Sequence, residues 1–480
     1  MLSPTIIPDV LLDLLPTKRN IEQKPHNTGC QLINMPIPVI VKGVTEGLSS
    51  IPFVYTVFKV LPWVLVVGFL KFYFGGARNK SERLMHSKVI MVTVCYYPGT
   101  EGLRTMLMRE KKKNQGGTSG IGASVVYELA LRGAQVIILT QHSHSDVFLV
   151  EYIDDLRKNT GNQLIYAEQV DLSSLHSIRT FATKWIDNAP PRRLDMLILC
   201  ASTVIPSGTP RKPTVDGLDE EWQVNYLGNF HLLSILSPAL RVQPSHRDVR
   251  VIFTTCPSYI GAPFDLSLAG QTSSAQTVEA AKTSKKKSKT STPQNKTKTG
   301  TTFSLSKLSL MIFARTFQAH LNAYKRPDGQ PPCTRVMVVD PGFSRTPGTR
   351  RWLTGGSLWG LLVYLVTWPL WWLILKSPQQ GAQSILYAAM EARYGSGEGG
   401  WMIKECREVY FARRDVCEDP ERAKELWQFS EKQVEEREKE GAVLRALERK
   451  EKEESEKRDA QNKGANKEPT AGSRRSRRNK

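Results

Sequence analysis

The sequence predicts an α/β fold, a doubly wound parallel sheet in a single domain, on three observations. The glycine-rich stretch Gly116-Gly117-Thr118-Ser119-Gly120-Ile121-Gly122 runs directly into a helix former, Ala123–Ala130. Strand-like and helix-like runs then alternate as far as Met390. The strand-like runs are apolar throughout, as strands covered on both faces are. A greasy segment ahead of this domain adds an N-terminal transmembrane helix, and a charged segment behind it adds a C-terminal helix and tail.

Residues 1–50 are proline-dotted and carry no clear element. Ile51–Phe74 is 24 residues long with Lys59 and Lys71 its only charges. About 20 apolar residues suffice to cross a bilayer, so this segment is expected to be a membrane anchor. Lys71, Arg78, Lys80 and Arg83 crowd its C-terminal side, which places the following domain in the cytosol by the positive-inside rule. Pro62 is placed to kink the span. Ser87–Thr93 reads as a first buried strand, Gln135–Leu139 as the second and Leu164–Val170 as the third, ending at Asp171-Leu172. Ser173–Trp185 has helical spacing, Leu194–Leu199 is a strand, and Glu220–Leu240 is a long apolar-faced helix. Arg250–Thr255 is a strand, Phe303–Tyr324 a helix and Arg335–Val339 a strand closed by Asp340-Pro341-Gly342.

Two insertions interrupt this order. A phosphate loop should follow the first strand at once, yet the 22 residues Val94–Gln115 intervene. Deleting them joins VIMVT to GGTSGIG. Val94-Cys95 can be encoded GTATGT and Gln115 can be CAG, which are splice-site sequences, so residues 94–115 are expected to be a retained intron in the gene structure. Peptides from this stretch in the native protein would refute that. A low-complexity insert spans residues 265–302. Formal net charge is +20, but Lys282–Lys298 supplies seven lysines and Arg474–Lys480 five basic side chains, so the charge describes loops and tail more than fold. No nucleic-acid recognition module accompanies it. Seven cysteines without a CxxC and eight histidines without ligand spacing point to reduced thiols and no metal site.

Leu353–Leu375 has no charged residue and four tryptophans. The strand before it and the helix after it (Gln379–Met390) belong to one domain, so both its ends lie on one side. Together with Pro369, this predicts an interface-lying lid with tryptophans at headgroup level instead of a span. After Asp419-Pro420 comes an exposed charged helix to residue 458, supported by Glu435–Lys439, Glu448–Lys452 and Glu453–Lys457 pairs. Residues 459–480 are expected to be a disordered basic tail.

A helix N-terminus presents unpaired N–H groups and a positive dipole end, and glycine lets a pyrophosphate come close. In a strand–loop–helix context the glycine stretch therefore predicts a Rossmann-type dinucleotide site. With its other motifs, the chain resembles the short-chain dehydrogenase/reductase family and, within it, the membrane-bound retinol-dehydrogenase-like members. The likeness covers about residues 84–435 apart from the inserts. It rests on GGTSGIG (116–122), VDLSSLHSIRTF (170–181), EEWQVNYLGNFHLL (221–233), Ser306-Lys307-Leu308, DPGFSRT (340–346), SPQQGAQSILYAAM (377–390) and DPERAKELWQFS (419–430). The resemblance implies cofactor contacts from Gly116, Thr118, Ser119, Gly120, Ile121, Gly122, Asp171, Leu172, Lys307, Pro341, Gly342 and Thr346. It also implies Asn225, Thr255 (or the adjacent Thr254) and Lys307 in the reaction.

Departures from the family pattern fall on proton transfer. The family's tyrosine, four residues before the lysine, is Phe303 here, and its Asn-Asn-Ala-Gly stretch is Leu199-Cys200-Ala201-Ser202. A phenol beside a cation can pass a proton to the substrate oxygen; phenylalanine cannot. Tyr259, four residues after Thr255, is a candidate replacement. The second strand ends in Thr140-Gln141-His142-Ser143 without the Asp that favours NAD, which leans the coenzyme to NADP over NAD.

The expected function is a membrane-associated NAD(P)-dependent oxidoreductase acting on a lipophilic alcohol or carbonyl. Its expected place is the endoplasmic reticulum or lipid-droplet membrane, with the domain facing the cytosol and membrane lipid as its neighbour. The alternative is an NAD(P)-binding pseudoenzyme serving as sensor or scaffold. The sequence gives no substrate identity and no oligomeric state.

Overall fold

A computed structural model describes residues 54–94, 120–188, 192–206, 209, 211–269 and 301–465. Gly116, Thr118, Ser119, residues 95–115 of the first insert, residues 270–300 of the second, and residues 1–53 and 466–480 lie outside the described residues. Two compact units divide the chain between Val67 and Gly68; the second holds the sheet and the candidate site.

Helix α1 spans Val54–Phe74, with Pro62 inside it. Among the described residues no helix is long and apolar enough to cross a membrane. Ile51–Phe53, the start of the expected span, lie outside the described residues.

The sheet has eight strands in the order β3-β2-β1-β4-β5-β6-β7-β8. Strands β1 (Val89–Thr93), β2 (Gln135–Thr140), β3 (Ile165–Gln169), β4 (Met196–Leu199), β5 (Val249–Thr254), β6 (Thr334–Asp340) and β7 (Trp401–Lys404) are parallel. Successive side chains of a strand point to opposite faces. Accordingly Met91, Leu197, Val251 and Val338 enter one core cluster, and Ile90, Ile198, Ile252 and Met337 enter the other. The first cluster is completed by α4 (Leu175–Ile186), α6 (Gly228–Arg241), α7 (Thr301–Ala323) and the start of α13 (Pro420–Ala465). The second is completed by α2 (Ile121–Leu131), α3 (Val147–Thr160) and α11 (Pro378–Met390). This is the doubly wound arrangement expected.

Several local differences have physical causes. The helix expected over 220–240 is α5 (Glu220–Trp222) joined to α6 through a π-helical turn, Gln223–Leu227. Helix α3, capped by Asp146 and ended by Gly161 at φ +68°, had no place in the sequence reading. Nor had the antiparallel hairpin of β7 with β8 (Arg407–Val409). Its turn puts Glu405 and Cys406 at φ +51° and +53°. Such turns usually announce themselves with Asn-Gly. Here the Glu405 carboxylate, held by Lys376 Nζ and the Ala77 N–H, fixes the turn instead.

The apolar stretch 353–375, expected as an interface-lying lid, follows α8 (Pro347–Leu353) and holds two short helices, α9 (Leu358–Val366) and α10 (Trp368–Ile374). Helix α12 (Arg414–Cys417) precedes α13, which continues to Ala465 where disorder was expected from residue 459. Once a helix is nucleated, each added residue gains a bond at little cost, and the Glu/Lys-rich run supports this propagation. Of the expected pairs, Glu435–Lys439 closes at 2.6 Å.

Candidate active site

The carboxyl ends of β1 and β4, where the strand order reverses, form the crevice in which such sheets hold their ligands. Gly120 sits at φ +95°, ψ −157° and caps α2 without a side-chain hydrogen bond, so among the described residues no side chain caps the first amides of that helix. A Cβ added to Gly120 would lie 3.7 Å from Thr346 Cγ2, which places the helix start beside the loop that follows β6. One added to Gly122 would lie 3.4 Å from Cys200 Cβ and 3.5 Å from a Val94 methyl. Val94 itself continues the ladder of β1, its N–H donating to Leu139 at 3.1 Å, so the first expected insert begins inside the sheet.

Asp171 follows β3. Its carboxylate accepts from the Ser173 N–H (2.8 Å) and hydroxyl (2.7 Å), and its own N–H donates to Ser177 Oγ. Leu172 is buried, and its carbonyl is approached by Gly228 so closely that an added Cβ would stand 2.9 Å away. Beyond β6, buried Pro341 precedes Gly342 at φ +75°, whose N–H donates to Asp340 Oδ1 at 2.9 Å. Asp340 is buried and paired with Lys404 at 3.3 Å. Thr346 caps α8, accepting from the Thr349 N–H. These residues fit a dinucleotide: open helix amides, a glycine cradle and a hydroxyl-bearing loop converge on one crevice. Gly116, Thr118 and Ser119 lie outside the described residues.

Asn225 sits in the π-turn, fully buried. Its Oδ1 accepts from the Thr203 N–H (2.7 Å), and its Nδ2 donates to the Thr203 carbonyl (2.9 Å) and to Ser306 Oγ (3.3 Å). That last bond joins Asn225 to the residue preceding Lys307. Lys307 is buried on α7, its ammonium 5.8 Å from the Phe303 ring centroid. Phe303 is half-buried, and no hydroxyl stands where a phenol would. Between Thr254 and Thr255, geometry decides. Thr254 Oγ1 is spent on the Leu199 carbonyl at 2.6 Å, whereas Thr255 Oγ1 is buried with no partner among the described residues. A buried hydroxyl without a partner is costly. Tyr259 is not the replacement for the missing phenol. It is buried in the core, its hydroxyl facing Met402 Sδ at 3.9 Å, and burial pushes its pKa up, opposite to what an acid at neutral pH requires.

A buried cluster of charged side chains escaped the sequence reading. Arg211 donates to Asp219 (2.7 Å), Glu221 (3.0 Å) and Thr302 Oγ1 (3.2 Å), the residue before Phe303. Glu221 also accepts from the Ile205 N–H at 2.7 Å. Burial pushes the Glu221 carboxyl up to about 7, while its two carboxylate neighbours hold Arg211 more firmly charged. The burial cost of Glu221 thus exceeds what a single arginine shared with Asp219 returns. This cluster ties the strap after β4, the start of α5 and the start of α7 into one scaffold. A charged residue beside turn-like Lys212-Pro213 gives no signal of burial in a sequence, so only the fold reveals it.

Residues 115–259 match the family described as short chain dehydrogenase. The uncharacterized oxidoreductase pbr1 of Schizosaccharomyces pombe is 37% identical over 411 residues, covering 84% of this chain and 97% of that protein. Retinol dehydrogenase 13 of Mus musculus is 28% identical over 368 residues, covering 76% and 89%. Polyprenol dehydrogenase of Mus musculus is 29% identical over 314 residues, covering 65% and 80%. With a doubly wound sheet, a dinucleotide crevice and this likeness along its length, the chain belongs to the short-chain dehydrogenase/reductase family of NAD(P)-dependent oxidoreductases, among its retinol-dehydrogenase-like members.

Proposed function

We propose that the protein is a membrane-associated oxidoreductase that interconverts a lipophilic alcohol and its carbonyl, with NADP favoured over NAD, on the cytosolic side of the endoplasmic reticulum or lipid-droplet membrane. The observation that carries the reaction is the unpartnered buried hydroxyl of Thr255. When bound, the nicotinamide supplies or accepts the hydride. The open amides of α2, Gly120, Gly122, Asp171, Lys307, Gly342 and Thr346 would hold the coenzyme. Thr255 Oγ1 would donate to the substrate oxygen. Asn225, fixed by Thr203 and Ser306, would orient a water next to Lys307, whose ammonium keeps that end of the site positive. A proton must still reach the substrate oxygen without a phenol, which makes the step slow relative to a site with a placed acid, worth about 10²–10⁴-fold.

The lipophilic substrate is supported by the lid. Leu358, Trp359 and Val366 are 84%, 78% and 74% exposed, and α9 and α10 bury no side chain. An apolar face of this size marks a contact with protein or membrane. The names of two relatives, retinol and polyprenol dehydrogenase, point the same way. The lean to NADP rests on the absence of an acid in Thr140-Gln141-His142-Ser143.

Phe303 supports a second reading: a coenzyme-binding sensor or scaffold that turns nothing over. Titrations with NADPH and NADH, followed by turnover on retinoid, sterol, polyprenol and fatty carbonyl substrates, separate the two. Phe303→Tyr sharpens the answer. Activity created where none existed establishes the scaffold; activity reduced from an existing level shows that another group already carries the proton.

A further inference from the structure

The lid is poorly held by packing, since neither α9 nor α10 buries a side chain, and yet its far end is gripped from a distance of 300 residues. Lys71, in the last turn of α1, donates from Nζ to the carbonyls of Trp372 and of Leu375 (3.3 Å), and its ammonium lies 4.9 Å from the Trp372 ring centroid. Both carbonyls belong to the end of α10, whose C-cap is Leu375. The last carbonyls of a helix lack intrahelical partners and carry the negative end of its dipole, so a lysine ammonium there acts as a cap supplied by another element.

The residue after this cap closes the base of the lid. Lys376 N–H donates to the Phe343 carbonyl (3.0 Å) and the Arg345 N–H donates to the Lys376 carbonyl (2.8 Å). Phe343 and Arg345 lie within DPGFSRT, between Gly342 and Thr346 of the coenzyme crevice. Downstream of Lys71 the chain stays laced to the same region: Ala77 N–H to Glu405 at 2.9 Å and Asn79 N–H to Gln383 at 3.1 Å. A short chain of polar contacts therefore runs from the end of α1, through the end of the lid, to the loop beside the coenzyme.

We propose that Lys71 is a positioning residue: it latches the lid shut by capping α10, and through the Phe343–Lys376 bridge it holds the Gly342–Thr346 loop in its coenzyme-binding posture. The proposal rests on reading residues 353–375 as the lid of the site, but its test needs neither turnover nor substrate, so its failure is distinct from failure of the oxidoreductase reading.

The test is hydrogen–deuterium exchange on the full chain in detergent, with Lys71→Met and Lys71→Arg beside the natural protein, followed by NADPH titration. Methionine keeps the length and apolar stem and removes the donors. Loss of hydrogen bonds from a charged donor should speed exchange of peptides covering 358–375 by about 10-fold or more in Lys71→Met. Exchange in α2 and β4 should be unchanged, and NADPH binding weaker. Lys71→Arg, which keeps charge and donors, should restore protection and affinity. Unchanged lid exchange in Lys71→Met overturns the proposal. So does a uniform rise across sheet and lid alike, which marks Lys71 as a general stabiliser, and so does an arginine variant that behaves like methionine.

Discussion

Replacing Thr255 with valine should move stability and activity in opposite directions. The two side chains have nearly the same shape, so the cavity is refilled and only the hydroxyl goes. In the free protein Thr255 is 3% exposed and its hydroxyl lacks a partner among the described residues, whereas its neighbour Thr254 is satisfied by Leu199. An unsatisfied buried polar group costs roughly 1–3 kcal/mol, so the variant should gain about 1 kcal/mol and its melting temperature should rise by about 1–3 °C. A donor aimed at a developing oxyanion is worth about 10²–10³ in kcat. The assay is differential scanning fluorimetry of the coenzyme-free protein, paired with the rate of NADPH consumption on the best carbonyl of the substrate panel. A lower melting temperature with undiminished turnover would refute the reasoning, since it would show the hydroxyl satisfied in the fold and idle in the reaction. Thr254→Val is the control: it breaks a made bond, so it should lower the melting temperature.

Gly120→Ala puts a side chain at φ +95°, ψ −157°, a region held essentially by glycine, at a strain of about 1–3 kcal/mol. NADPH affinity measured by titration should fall roughly 5- to 150-fold by that strain, while Gly161→Ala, strained at φ +68° but remote from the crevice with open space around it, should leave affinity alone. Equal losses from both would remove the assignment of the α2 start. Gly228→Ala should destabilise by about 1–3 kcal/mol, because its Cβ would meet the Leu172 carbonyl at 2.9 Å and Ile178 at 3.3 Å; a denaturant melt that matches the natural protein would contradict the packing. Glu221 gives a pH signature. Its folded pKa, about 7, lies above the unfolded value, so the fold favours the protonated form. Below the unfolded pKa both states are protonated and nothing is lost; stability then falls as pH rises toward 7 and levels off above it. The stability difference between Glu221→Gln and the natural protein should therefore shift in favour of the glutamine variant from pH 4.5 to 7, and a pH-independent difference would argue against a buried carboxyl.

Much of the site was legible before the fold because its chemistry is local. A glycine loop opening a helix, an Asp after a strand and a lysine four residues beyond Phe303 are short-range patterns, and the sheet turned out as those patterns required. The choice between Thr254 and Thr255 was not local. Two adjacent threonines are interchangeable in a sequence; they alternate faces only once β5 lies between β4 and β6, where one hydroxyl meets Leu199 and the other meets nothing. Tyr259 looked available for the same reason, and packing turned it toward Met402.

The sequence by itself determined the strand–helix alternation, the glycine loop that opens a helix and the loss of the phenol, since each follows from side-chain type at fixed spacing along one chain. Tertiary structure alone decided which hydroxyl is left unpaired, that Arg211 and Glu221 are buried together, and that Lys71 reaches Trp372 across 300 residues. Contacts of that separation are set by how layers pack, and no local propensity encodes them.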